Sequence, residues 1–145
     1  STSAWGKITQ VEGQTTESAC QRLELKPEKP GLRMVFDLCN VSIGEHLVFR
    51  LLNAEETVVL FEQDASIDAP TSKSSSVPEH LFYHLECPDL SNLTQGEYHV
   101  RVLSQAPNRQ EITLIQFKLM MHHSENQRGL INLPFKIEAQ NAIPA

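Results

Sequence analysis

A chain of 145 residues that is 40% hydrophobic and 21% charged carries enough apolar side chains for one core and does not have the composition of a disordered chain. Its formal charge of -6, with the basic residues scattered singly, argues against nucleic acid and anionic membranes, both of which favour a clustered basic face. No apolar run approaches the roughly 18 residues that a membrane helix needs, so direct membrane insertion is not expected.

Taken in chain order, the apolar pattern is that of strands. Residues 7–11 read as a first strand. In 21–26, Leu23 and Leu25 share one face while Arg22, Glu24 and Lys26 share the other. Leu32, Met34, Phe36 and Leu38 form the next apolar row, and Leu47, Phe49 and Leu51 the one after. The segment 57–61 is a short β-branched run, apolar on both parities. Leu81, Tyr83, Leu85 and Cys87 alternate with His80, Phe82, His84 and Glu86. Tyr98, Val100 and Val102 make another row, then Ile115, Phe117, Leu119 and Met121, and last Ile131, Leu133, Phe135 and Ile137. A period of two sends one row into a core and the other to solvent. Turn residues separate the runs: Pro27 to Gly31, Ser42-Ile43-Gly44, Asn53-Ala54-Glu55, Pro88-Asp89, Ala106-Pro107-Asn108 and Asn126 to Gly129. No segment carries both helical periodicity and helix caps. The expected fold is all-β: a single antiparallel β-sandwich over 1–145, Ig-like or jelly-roll, of about nine strands.

Two segments break the rhythm. Residues 63–79 are polar and serine-rich with Pro70 and Pro78, and are expected to form a long mobile loop. The stretch 139–145 is expected to be a tail or linker.

The segment Leu90-Ser91-Asn92-Leu93-Thr94-Gln95-Gly96-Glu97-Tyr98-His99-Val100-Arg101-Val102 is the most telling. A leucine pair and a turn glycine precede a tyrosine that opens a strand. The ring is expected inside, with its hydroxyl bonded back to the turn backbone. Through Leu93, Gly96, Tyr98 and Val100 this segment resembles the late-strand corner of immunoglobulin-like and fibronectin type III-like domains. The resemblance covers about a tenth of the chain. Val100 stands where an immunoglobulin would carry a cysteine, and the strand-C tryptophan is absent. The resemblance implies a sandwich and, by analogy, a recognition role.

Catalytic and metal chemistry finds little support. There is no G-x-S-x-G elbow, and Ser72, Ser74, Ser75 and Ser76 lie in the long loop. Cys87 and His84 face opposite sides of one strand. His80 and His84 share a face but lie about 13 Å apart in a strand. Met120, Met121, His122 and His123 are a soft-ligand run that a strand splits between two faces. Asp64, Asp68, Glu55 and Glu56 show no paired-carboxylate setting, and no calcium loop or phosphate-cradling glycine loop occurs. The chain is therefore expected to be no enzyme and to use no metal or cofactor.

Three cysteines, Cys20, Cys39 and Cys87, allow at most one internal bridge. Cys87 lies on an apolar row and is expected buried. Cys20 and Cys39 lie off theirs, which makes Cys20–Cys39 the candidate disulfide. Asn40-Val41-Ser42 and Asn92-Leu93-Thr94 are glycosylation sequons, so Asn40 and Asn92 are candidate acceptors. Trp5 is expected to plug the bottom of the core, and Phe82 to lie on an outer face. The expected function is a secreted, cell-surface or periplasmic domain that binds a protein partner through its loops or a strand edge. A carbohydrate-binding module using exposed Trp5 or Phe82 and a metal-binding protein or enzyme using converging histidines are the alternatives.

Overall fold

The computed structural model describes residues 3–16, 21–67, 80–108, 110–122 and 136–139. Ten strands cover most of them: β1 (Trp5–Val11), β2 (Gln14–Thr15), β3 (Arg22–Leu25), β4 (Leu32–Cys39), β5 (His46–Asn53), β6 (Val59–Ser66), β7 (His80–Cys87), β8 (Gly96–Gln105), β9 (Glu111–Met121) and β10 (Lys136–Ala139). They form two five-stranded sheets, in the orders β10-β7-β4-β1-β2 and β3-β9-β8-β5-β6. The fold is all-β and sandwich-like, and no described residue is helical.

The alternating rows meet between the sheets. Met34, Phe36 and Leu38 from β4, and Leu81, Tyr83 and Leu85 from β7, face Phe49 and Leu51 of β5, Val100 and Val102 of β8, and Phe117 and Leu119 of β9. This is what the twofold side-chain period of a strand requires when one face is covered. Cys87 is fully buried in the same row, as its parity requires, and its thiol pKa is pushed up by that burial.

Local chemistry sets the corners. The β1–β2 hairpin turns on Glu12 (φ 51°) and Gly13 (φ 78°). Positive φ at both central residues matches the right-handed twist of the flanking strands. Between β5 and β6, Asn53 Oδ1 accepts the N–H groups of Thr57 (2.8 Å) and Val58 (2.9 Å). This side chain does the work of a turn backbone. At the entry to β8, Gly96 has φ 145°, which a side chain would strain. The Tyr98 hydroxyl donates to Thr94 O at 2.7 Å and lies 2.8 Å from Thr94 Oγ1. The ring is buried, so the corner read from the sequence is formed.

The structure corrects several boundaries. β2 is a tenth strand, too short to show periodicity. β3 runs parallel to β9, in the register Arg22↔Lys118 to Leu25↔Met121, so the sheets are not purely antiparallel. Residues 63–66, expected in the long loop, extend β6, because each pairs with β5 from His46↔Ser66 to Phe49↔Gln63. Ile67 is fully buried. The rest of that expected loop, 68–79, lies outside the described residues. So do Ile131, Leu133 and Phe135 of the last row. The expected tail begins inside β10, since Ala139 pairs with Tyr83, and 140–145 lie outside the described residues.

The outer face of the second sheet is held by charge. Arg50 and Arg101 stand directly opposite each other on β5 and β8, a like-charge pairing that is unfavourable by itself. Arg50 is bonded to Glu62 (2.6 Å) and Glu111 (2.7 Å), and Arg101 to Glu56 (2.6 Å). Each guanidinium thus has its own carboxylate partners, which offset the like-charge pairing.

Candidate functional site

Four strands end the sheets: β10 and β2 in one, β3 and β6 in the other. A sheet edge offers unpaired backbone groups to another chain unless something blunts it. β2 is two residues long. β10 carries the ion pair Lys136–Glu138 at 3.2 Å. β6 carries Glu62 and Asp64, paired with Arg50 and His46 on its neighbour. Val59 at its start (50%) and Val58 just before it (51%), both within the β-branched run read from the sequence, are exposed.

β3 has a groove beside it. The groove opens between β3 and the first sheet and has a volume of about 670 Å³. Its apolar lining comes from Leu23 and Leu25 of β3, Val11 of β1, Leu32 of β4, and the prolines Pro30 and Pro88. Charged side chains, including Lys26, Lys29 and Glu86, surround it. Gly31 lies in its wall, where a Cβ would come within 2.7 Å of Pro88 O. The N–H of Leu90 bonds Pro30 O at 2.8 Å. Together the close approach at Gly31 and this bond hold the β3–β4 connection against the segment after β7.

The register fixes which backbone groups of β3 are available. Lys118 N donates to Gln21 O at 2.9 Å, and His122 N to Leu25 O at 2.9 Å. In a parallel ladder, alternate residues turn both their groups toward the same neighbour. Gln21, Leu23 and Leu25 therefore face β9, and the N–H and C=O of Arg22 and Glu24 point away from it. No described strand pairs with that side. The side chains of Arg22 and Glu24 lie on the outer face, where Glu24 meets His122 Nε2 at 3.1 Å and Arg22 lies 3.8 Å from Glu97.

The residues singled out in the sequence fall elsewhere. Asn40 follows β4 with φ 59°, a left-handed conformation that asparagine tolerates, and is exposed. Asn92 is exposed in the turn before Tyr98. Cys20 lies outside the described residues. Cys39 and Cys87 are not joined to each other. Trp5 does not plug the core. It is 41% exposed, because Gly6 and Ile8 take the inward parity of β1 and leave Trp5 on the outer face. There its ring meets His80 edge-on, with centroids 6.3 Å apart. Phe82 is half-buried, and neither ring lines the groove. His123 lies outside the described residues. Among those described, no group of three His, Cys, Asp or Glu residues is placed to hold a metal ion.

Sequence reasoning found the leucines of β3 but not the groove beside them. The groove depends on a parallel pairing between residues about a hundred positions apart, and no local pattern encodes that. Sequence reasoning also missed that Val35, Asp37 and Cys39, on the outward row of β4, are all buried. β4 lies inside its sheet, so side chains of β1 and β7 close over that row. No protein-family model matches the chain, and no curated protein matches it either.

Proposed function

We propose that the chain is a non-catalytic interaction domain that binds an extended segment of a protein partner along β3, with alternate side chains of that segment seated in the adjoining groove. The observation that carries this reading is the backbone of Glu24, turned away from β9 beside an apolar groove lined by Leu23, Leu25 and Leu32. Main-chain bonds to a sheet edge supply affinity, and pockets for every second side chain supply specificity. The partner segment is extended, with apolar residues at alternate positions. The corner formed by Thr94, Gly96 and Tyr98 supports kinship with immunoglobulin-like or fibronectin type III-like domains, in which recognition is a common use of the scaffold. A carbohydrate site is less well supported, since no described residue that lines the groove is aromatic.

The test is selection from a displayed library of random peptides against the immobilised domain, followed by two substitutions. Glu24→Pro removes an N–H that β9 does not use, so β3 keeps its ladder while its outer edge is blocked. Glu24→Thr removes the same carboxylate and keeps the N–H. Enriched peptides with apolar residues at alternate positions that bind the Thr variant and lose the Pro variant are the expected result. Peptides that bind both variants equally would place recognition elsewhere.

A further inference from the structure

The outer face of the first sheet holds an arrangement that the binding reading does not use. Trp5, Cys39 and His80 are direct cross-strand neighbours on β1, β4 and β7. Adjacent strands lie about 4.8 Å apart, so Cys39 sits in the middle with a ring on each side. Trp5 and His80 also meet each other edge-on, at an interplanar angle of 85°. Cys39, between them in the sheet, is only 6% exposed.

Asp37 precedes Cys39 by two residues on the same row and is 5% exposed. Its carboxylate lies 2.8 Å from His80 Nδ1, and Cys39 Sγ lies 3.9 Å from His80 Nε2. A carboxylate only accepts, so Nδ1 carries the proton in the neutral ring and the Nε2 lone pair faces the thiol. The acid and the sulfur lie on opposite sides of one imidazole. Such a line cannot converge on one metal ion. It is the order carboxylate, imidazole, thiol in which a base is oriented toward a nucleophile.

We propose that Cys39 is an activated thiol, with His80 as its base and Asp37 as the positioning residue, and that it reacts with a small hydroperoxide admitted beneath Trp5. Cys39 is 6% exposed between Trp5 and His80, and so small an opening favours a reagent of a few atoms. In the step, His80 Nε2 takes the thiol proton and Sγ attacks one peroxide oxygen. The S–O bond forms as the O–O bond breaks, and the proton returns from His80 to the leaving oxygen. The sulfur is oxidised to a sulfenic acid, and the peroxide is reduced to water or an alcohol.

The whole chain, with its thiols reduced, is treated with hydrogen peroxide and a 1,3-dione that captures sulfenic acids, and each cysteine is followed by peptide mass spectrometry. Cys39 of the folded chain is expected to be captured about ten-fold or more faster than Cys39 of the urea-unfolded chain at the same pH, a modest share of what a positioned base supplies. Cys87, fully buried, is expected to stay uncaptured in the folded chain. His80→Gln is expected to remove the advantage, and free imidazole to restore part of it in His80→Gly, which a structural role alone would not produce. ¹⁵N spectra of His80 are expected to show the Nδ1-protonated ring, and Asp37→Asn to shift that tautomer and slow capture. Equal capture rates in folded and unfolded wild-type chains would overturn the proposal, whatever the variants do. A Cys20–Cys39 peptide in a non-reduced digest of the native protein would overturn it as well.

Discussion

At the scale of single residues, two polar contacts carry disproportionate weight. The Tyr98 hydroxyl ties the β8 strand to the turn at Thr94 inside a mostly buried corner. Tyr98→Phe keeps the ring and leaves Thr94 O without this donor. The expected loss is about 1–2 kcal/mol in urea unfolding, with an unchanged slope. Arg50 is the second. Its bond to Glu111 holds that carboxyl below its ordinary pKa, and hydrogen bonding and the opposite charge also raise the pKa of Arg50. A carboxyl depressed in the folded state contributes stability that is fully present above its unfolded value, 4.5, and lost as the pH falls through the lower folded value. Wild-type chain and Arg50→Gln should therefore differ most in stability near neutrality, and the gap should narrow below about pH 4.5. Glu111 and Glu62 are substantially exposed, so the neutral-pH gap is about 1 kcal/mol. A gap that stays the same into acid would show that Arg50 acts by packing and not through its carboxylates.

At the scale of elements, burial separates β4 from β6. β4 is inside its sheet, with both rows covered, and Leu38 is fully buried between the sheets. Leu38→Ala is expected to cost about 2–5 kcal/mol through lost transfer energy and the cavity left behind. Val58, exposed just before β6, is a different case: Val58→Ser should stay within about 0.5 kcal/mol of wild type. Thermal or denaturant unfolding of both variants checks the contrast. The same contrast shows what the sequence could reveal. The row Leu81, Tyr83, Leu85 and Cys87 was legible because one parity is apolar and the other polar, and the structure buries that row. The outward row of β4 was not legible. Val35, Asp37 and Cys39 look like a mixed solvent face, and only the strands on either side cover them. Trp5 misled for a related reason: a lone large ring suggests a core, but the parity set by Gly6 and Ile8 places it outside.

At the scale of the whole molecule, the class of fold was legible and the site was not. Alternation recurs in β3, β4, β5, β7, β8 and β9, so an all-β fold could be expected from the sequence alone, and far-UV circular dichroism should show a sheet-type minimum without helical bands. The groove arises from three separate pairings that no local pattern specifies: β3 beside β9, β4 beside β1 and β7, and the β3–β4 connection against the segment after β7. Recognition along β3 is tested most directly by amide hydrogen exchange of the free domain and of the domain with a selected peptide. In the free domain, the N–H group of Glu24 should exchange quickly while those of Leu23 and Leu25, bonded to β9, stay protected. On binding, Glu24 should become protected and the amides of β6 should not change. Protection that appears on β6 or in the loops, with Glu24 still exchanging freely, would contradict the assignment.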